Sequence, residues 1–169
     1  MAQSNASIST AENGLGMEVV FTRTFDAPRN LVFKVWTDSS HLVEWWGPHG
    51  FTNPRCEWDA RPGGEIHIDM RGPDGRIYPM SGRFQEIVEP ERLVFVSAAL
   101  DDSREPMFEV LNTVTFAEDG GKTILTLTAR VITSTPNAPQ YLKGMEVGWR
   151  QSLERLSVQV DKALSTERV

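Results

Sequence analysis

Cysteine is almost absent from this chain. Cys56 is the only one in 169 residues, so no disulfide can form within the chain. A lone thiol fits a reducing compartment. No run of about 18 apolar residues occurs, which excludes a membrane-spanning helix. Basic residues number 17 against 23 acidic ones, giving a formal net charge of -6, and nowhere do they gather in a block. Without such a patch there is no counterion release to drive binding to a phosphate backbone, so DNA and RNA are not expected as partners. Glycine-rich phosphate loops and nucleophile-elbow motifs are missing as well. Cys56 has no histidine near it in sequence and is not expected to act as a nucleophile. Residues 1–16 are rich in Ser, Ala, Asn and Thr and lack the basic start and apolar stretch of a signal peptide. They are expected to form a flexible tail, with residues 17–164 making a single domain and the chain residing in the cytoplasm.

What is present is an ordinary globular mixture, 40% hydrophobic and 24% charged. Met17 to Phe25 alternates as a strand, with the aliphatic stem of Arg23 on the inward side. Asp26-Ala27-Pro28 then predicts a helix start, with Asp26 as the capping group. Leu31, Val32, Val35 and Trp36 form its apolar face, and a second short helix runs from about His41 to Trp45. Strands follow over Thr52–Trp58, Glu65–Arg71, Ile77–Val88 and Leu93–Ala99, separated by Gly/Pro/Asp turns. Pro79 points to a sheet edge or bulge. Phe108–Phe116 and Thr123–Ile132 make a last hairpin across Glu118-Asp119-Gly120-Gly121. Asn137-Ala138-Pro139 then supplies a helix start. Leu142, Met145, Trp149, Leu153, Leu156, Val160 and Leu164 recur at a mean spacing of about 3.7, a helical period. The fold class is α+β: a curved antiparallel sheet wrapped around a long C-terminal helix, with two short helices after the first strand.

Several strings in this order carry a resemblance: Phe25-Asp26-Ala27-Pro28, Trp45-Trp46-Gly47-Pro48, Asp59-Ala60-Arg61-Pro62-Gly63-Gly64, Met70-Arg71-Gly72-Pro73-Asp74-Gly75, Pro90-Glu91-Arg92-Leu93 and Gly144-Met145-x-x-Gly148-Trp149. From about Met17 to Val160 the chain resembles the SRPBCC (START-like) superfamily. Within it, the chain is similar to the branch related to the C-terminal domain of the activator of heat-shock protein 90 ATPase. The resemblance implies a helix-grip fold with a cavity between sheet and helix. It does not imply one activity, since members include hydrophobic-ligand carriers, polyketide cyclases, self-sacrificing resistance proteins and co-chaperones.

The residues fit such a cavity. Trp45, Trp46 and Phe51 would form its mouth, and Met70, Phe84, Phe95, Met145 and Trp149 its walls. Tyr78, Asn112 and Glu146 would orient a ligand. The plainer reading of each aromatic is that it fills the core. Gly144 and Gly148 share a helix face and cost about 1 kcal/mol each relative to Ala, which predicts close backbone packing, with Gly82 meeting it from the sheet. Glu146 lies about 100° round the helix from Met145 and so flanks the apolar seam. It is the one weak acid–base candidate; the plainer reading is a solvated helix flank.

Glu65, His67 and Asp69 share a strand face, but Ile66, Ile68 and Met70 take the core side, so no metal site is expected. Asp59 and Arg61 read as a charged pair beside a tight Gly63-Gly64 turn. Nothing calls for a cofactor. The leading function is binding of a small hydrophobic molecule such as a lipid. The alternatives are a stress-related, co-chaperone-like module with a protein partner, and a cyclase- or hydratase-type enzyme using the same pocket. A homodimer is compatible with each.

Overall fold

The strand alternation and the helical seam assemble as the pattern requires. The computed structural model describes residues 5–9, 15–136, 138 and 142–167. Its strands are β1 (Asn5–Ser9), β2 (Glu18–Phe25), β3 (Thr52–Trp58), β4 (Glu65–Arg71), β5 (Ile77–Val88), β6 (Arg92–Leu100), β7 (Pro106–Asp119) and β8 (Lys122–Ser134). The helices are α1 (Arg29–Thr37), α2 (Ser39–Trp45) and α3 (Met145–Glu167). All strands pair antiparallel in one curved sheet ordered β1-β2-β8-β7-β6-β5-β4-β3. The result is the α+β helix-grip architecture. Within the segment expected to be a tail, Asn5–Ser9 instead pairs along β2. The open edge of β2 offers unpaired backbone groups that such a segment can satisfy.

The β7–β8 hairpin turns on Gly120 (φ 55°) and Gly121 (φ 84°). Two positive φ values in succession give a turn whose twist matches the flanking strands. Helix α2 is capped by Asp38, whose carboxylate accepts from the Ser40 amide. Helix α1 departs from expectation. Its N-cap is Pro28, with no side-chain cap bond, and Asp26 is exposed. Pro28 presets the backbone for the first turn, and its carbonyl accepts from the Leu31 and Val32 amides. The expected helix start at 137–139 falls on residues of which 137 and 139 lie outside the described ones.

Pro79 sits in β5, which lies between β4 and β6. It pairs with Asp69 of β4, while pairing to β6 begins one residue later, at Met80 and Ala99. The start of β5 therefore overhangs its neighbour, and the proline occupies a local edge. The register shift of β5 lies further on, between Phe84 and Glu86.

Helix α3 buries Leu153, Leu156, Val160 and Ala163. It approaches α1, α2 and β2 most closely. The helix thus sits toward one side of the concave face. Arg23 of β2 is turned inward on that side and is buried. Burial pulls its guanidinium below the ordinary value, with Glu154 opposing and Arg150 adding to the shift. Over β5, β6 and β7 the helix stands off the sheet, and that gap positions the site.

Candidate functional site

A cavity of about 310 Å³ lies between the first turns of α3 and the concave face of β5–β7. That falls at the lower end of small-molecule pockets, roughly 300–1,000 Å³. Helix α3 contributes Met145, Gly148, Trp149 and Ser152, just after Gly144. The strands contribute Tyr78 and Met80, Ser97 to Leu100, and Met107, Phe108, Val110 and Asn112. Met70, Phe51 and the Trp46-Gly47-Pro48 segment close one side, and Arg76, Asp101 and Asp102 stand at the rim.

Of the residues expected to form a site, the cavity brings together Trp46, Phe51, Met70, Tyr78, Asn112, Met145 and Trp149. Trp45, Phe84 and Phe95 are not among the lining residues. Trp45 is fully buried against Trp36, with ring centroids 4.7 Å apart, and its Nε1–H donates to the Val35 carbonyl. Phe84 and Phe95 pack edge-on to Trp58 at 4.9 and 5.3 Å. Trp46 touches Trp58, Phe95 and Trp149 and so stands between that aromatic plug and the cavity. Trp149 meets Trp36 and Trp46 rather than Phe84.

The glycines act differently from expectation. A Cβ on Gly148 would meet only the Pro48 ring, at 3.9 Å. Gly148 therefore opens space in the wall instead of admitting a backbone. A Cβ on Gly82 would lie 2.2 Å from the Val96 carbonyl oxygen, so that glycine serves a close approach inside the sheet, between β5 and β6. Gly64 likewise admits the Asp59 carbonyl, and Arg61 pairs with Asp59 at 2.8 Å.

One wall of the mouth is tied to α3. Arg155 donates through Nη1 to the carbonyls of Trp46, Gly47 and Pro48 at 2.9, 3.0 and 3.1 Å, and through Nη2 to Glu44 at 3.0 Å. A guanidinium suits this place, where the last turn of α2 presents unpaired carbonyls. Burial pulls its pKa below the ordinary arginine value, with Glu44 opposing. Asn53 holds the same corner from β3, donating to Val43 and Trp46 carbonyls. The His49 amide donates to Gln151, and its ring meets Glu154 at 3.0 Å. That contact, first of all, holds the Glu154 carboxyl below the usual carboxylate range.

Glu146 is not among the lining residues. Its carboxylate pairs with Arg150 at 3.2 Å, one turn along the helix. Asp69 pairs with Arg104 at 3.2 Å, and His67 lies 3.9 Å from Glu65. Among the described residues no cluster of His, Cys, Asp and Glu is arranged to hold a metal ion, and no helix is long and apolar enough to cross a membrane. Burial pushes the Cys56 thiol up to about 11, which keeps it protonated and unreactive.

The sequence reading passed over Ser97, Ser152 and Arg155. Ser152 carried a signal, since it follows Trp149 by three residues on the helical seam. Arg155 carried none that spacing could reveal.

The family model described as Activator of Hsp90 ATPase homolog 1-like protein matches residues 26–161. The structure is similar to that of a protein from Arthrobacter aurescens solved by NMR, with a TM-score of 0.75, 25% identity, and coverage of 92% of this chain and 91% of that one. It is also similar to protein NE0264 from Nitrosomonas europaea, with a TM-score of 0.73, 26% identity, and coverage of 88% and 96%. A third similar structure is the AHSA1 protein from Silicibacter pomeroyi, at TM-score 0.74, 24% identity, and coverage of 85% and 97%. No curated protein matches the chain.

Proposed function

The chain belongs to the Activator of Hsp90 ATPase homolog 1-like family, and from that premise we propose that it binds a small hydrophobic molecule in the cavity between α3 and β5–β7. The observation that carries this reading is the stand-off of α3 from the sheet. It leaves about 310 Å³ walled mainly by Met, Phe, Trp, Tyr, Val and Ala side chains. An apolar wall with a few polar groups is what a carrier needs. The enzyme reading needs an acid–base group facing the substrate. Glu146 is engaged with Arg150 instead, and the charged lining residues are Arg76, Asp101 and Asp102 at the rim. The interaction-module reading needs an exposed apolar patch. Among the described residues the large exposed hydrophobics, Leu15, Ile132, Val147 and Val158, are scattered over the segment before β2, β8 and α3.

The test is titration of the purified protein with the neutral fluorescent probe N-phenyl-1-naphthylamine, beside native mass spectrometry for a co-purified small molecule. Saturable binding is expected. Gly148→Leu, which pushes a side chain into the cavity, should weaken it about tenfold or more, equivalent to about 1.4 kcal/mol. A wild-type protein that does not bind, or a Gly148→Leu variant that binds equally well, overturns the reading.

A further inference from the structure

The two ends of the cavity differ in chemistry. The open end has Arg76, just before β5, and Asp101 and Asp102, just after β6. Ser97 lies further back along β6, and Asn112 lies deep in β7, on the strand pair that leads away from the mouth. Asn112 is fully buried. Its Nδ2 donates to Ser97 Oγ at 2.9 Å and to the Phe95 and Val110 carbonyls at 3.3 and 3.2 Å. Two backbone carbonyls on one side fix the amide with its nitrogen toward them. Ser97 Oγ therefore spends a lone pair on Asn112, and its own proton has no acceptor among the described residues.

Ser152 reaches the same space from the opposite wall. It is 5% exposed, lines the cavity, and makes no side-chain hydrogen bond to any described residue. Helical hydroxyls commonly bond back to the carbonyl four residues earlier. Thr37 does so onto Phe33 at 3.0 Å, and Thr166 onto Lys162 at 3.1 Å. Ser152 forgoes that bond, and its hydroxyl is left facing the cavity, where a ligand can supply the partner.

The geometry points to a ligand with a neutral oxygen-bearing head, a hydroxyl or a carbonyl, seated at the Ser97 and Ser152 hydroxyls with its apolar body toward the mouth. This rests on the ligand-binding reading above and narrows it. Both serines can donate to an oxygen, and Ser152 can also accept from a hydroxyl. An ionised head is excluded by solvation. A carboxylate at this end would lose its water and meet no cation among the described residues, whose charged lining members are all at the rim.

Three probes with one ring system test this by calorimetry on the full chain near pH 7: naphthalene, 2-naphthol and 2-naphthoate. We expect 2-naphthol to bind about fivefold more tightly than naphthalene, the fold-change of one net neutral hydrogen bond. We expect 2-naphthoate to bind about tenfold more weakly than naphthalene. In the Ser97→Ala/Ser152→Ala double variant the advantage of 2-naphthol should vanish while naphthalene binds within about twofold of wild type. Equal binding of naphthalene and 2-naphthol to the wild type, tightest binding of 2-naphthoate, or a naphthol advantage that survives in the double variant overturns the neutral-head inference and leaves the cavity reading standing. Failure of all three probes to bind the wild type overturns both.

Discussion

The concave face of one sheet carries two regions of opposite character. At one end Trp58, Phe84, Phe95 and Trp46 interlock, and the Trp58 Nε1–H donates to the Trp36 carbonyl at 2.9 Å. At the other end the same strands and α3 enclose an open cavity. The alternation is identical in both. Along β6 the inward positions run Leu93, Phe95, Ser97, Ala99, and along α3 the seam runs from Gly148 to Leu153 and Leu156. Periodicity decides which side chains face inward. Side-chain volume decides whether the inside is filled, because interiors close to crystal-like density wherever the residues are large enough.

Substitutions can break that contrast from either side. The largest effect belongs to the plug. Trp58→Ala should destabilise the protein by about 3–5 kcal/mol, since it removes a buried indole and opens a void among the three aromatic side chains around it. Chemical denaturation would show this as a lower midpoint, and an unchanged midpoint would mean that the plug is not the structural half. Next comes the corner where α3 meets the mouth. Arg155→Met keeps much of the stem but leaves the Glu44 and Gly47 carbonyls without that donor, while Trp46 and Pro48 retain Asn53 and the Phe51 amide, and should cost about 1–3 kcal/mol; loss of probe affinity in the same variant would show that the mouth wall had shifted.

Gly148→Ala should act in the other direction, raising stability by about 0.5–1 kcal/mol, because the added methyl meets nothing closer than Pro48 at 3.9 Å. Gly82→Ala, on the sheet side, should destabilise, because its methyl would run into Val96. If the two alanines shifted the melting temperature alike, the distinction between an opening glycine and a close-approach glycine would fail. The smallest effect is electrostatic. The Glu154 carboxyl is held low by His49, so its contribution is present above the ordinary carboxylate pKa of about 4.3 and is lost as pH falls through the lower folded value. Glu154→Gln should flatten the acid limb of the stability profile below about pH 5, most visibly at low salt; a limb as steep as wild type would refute the link.

The fold was legible because alternation and helical period are local signals. The strand runs, the two short helices and the seam from Met145 to Leu164 follow from them directly. The site was legible only in part. Phe84 and Phe95 have the same inward phase as Ser97, and nothing in the phase says how far along a strand α3 lifts away. Trp45 and Trp46 are neighbours in sequence, yet one faces Trp36 in the core and the other the cavity. Glycine in a helix seam signals either a close backbone or an empty wall, and only the position of Pro48 decides between them. Ser152 stands three residues after Trp149 on the helical seam, but spacing alone does not say whether a small hydroxyl there faces a cavity or bonds back to its own helix.

The four carbonyls gathered by Arg155 have a kinetic meaning. One side chain holds Glu44, Trp46, Gly47 and Pro48 to α3 through four bonds, so the loss of any one leaves three in place. That side of the entrance is a fixed jamb. The opposite side is held differently: the loop Asp101–Glu105 is joined to β4 across β5 by the Arg104–Asp69 pair at 3.2 Å. Ions in solution weaken a partly exposed charge pair more than they weaken a cluster of carbonyl bonds. At high ionic strength the loop side of the entrance should therefore loosen before the Arg155 side does.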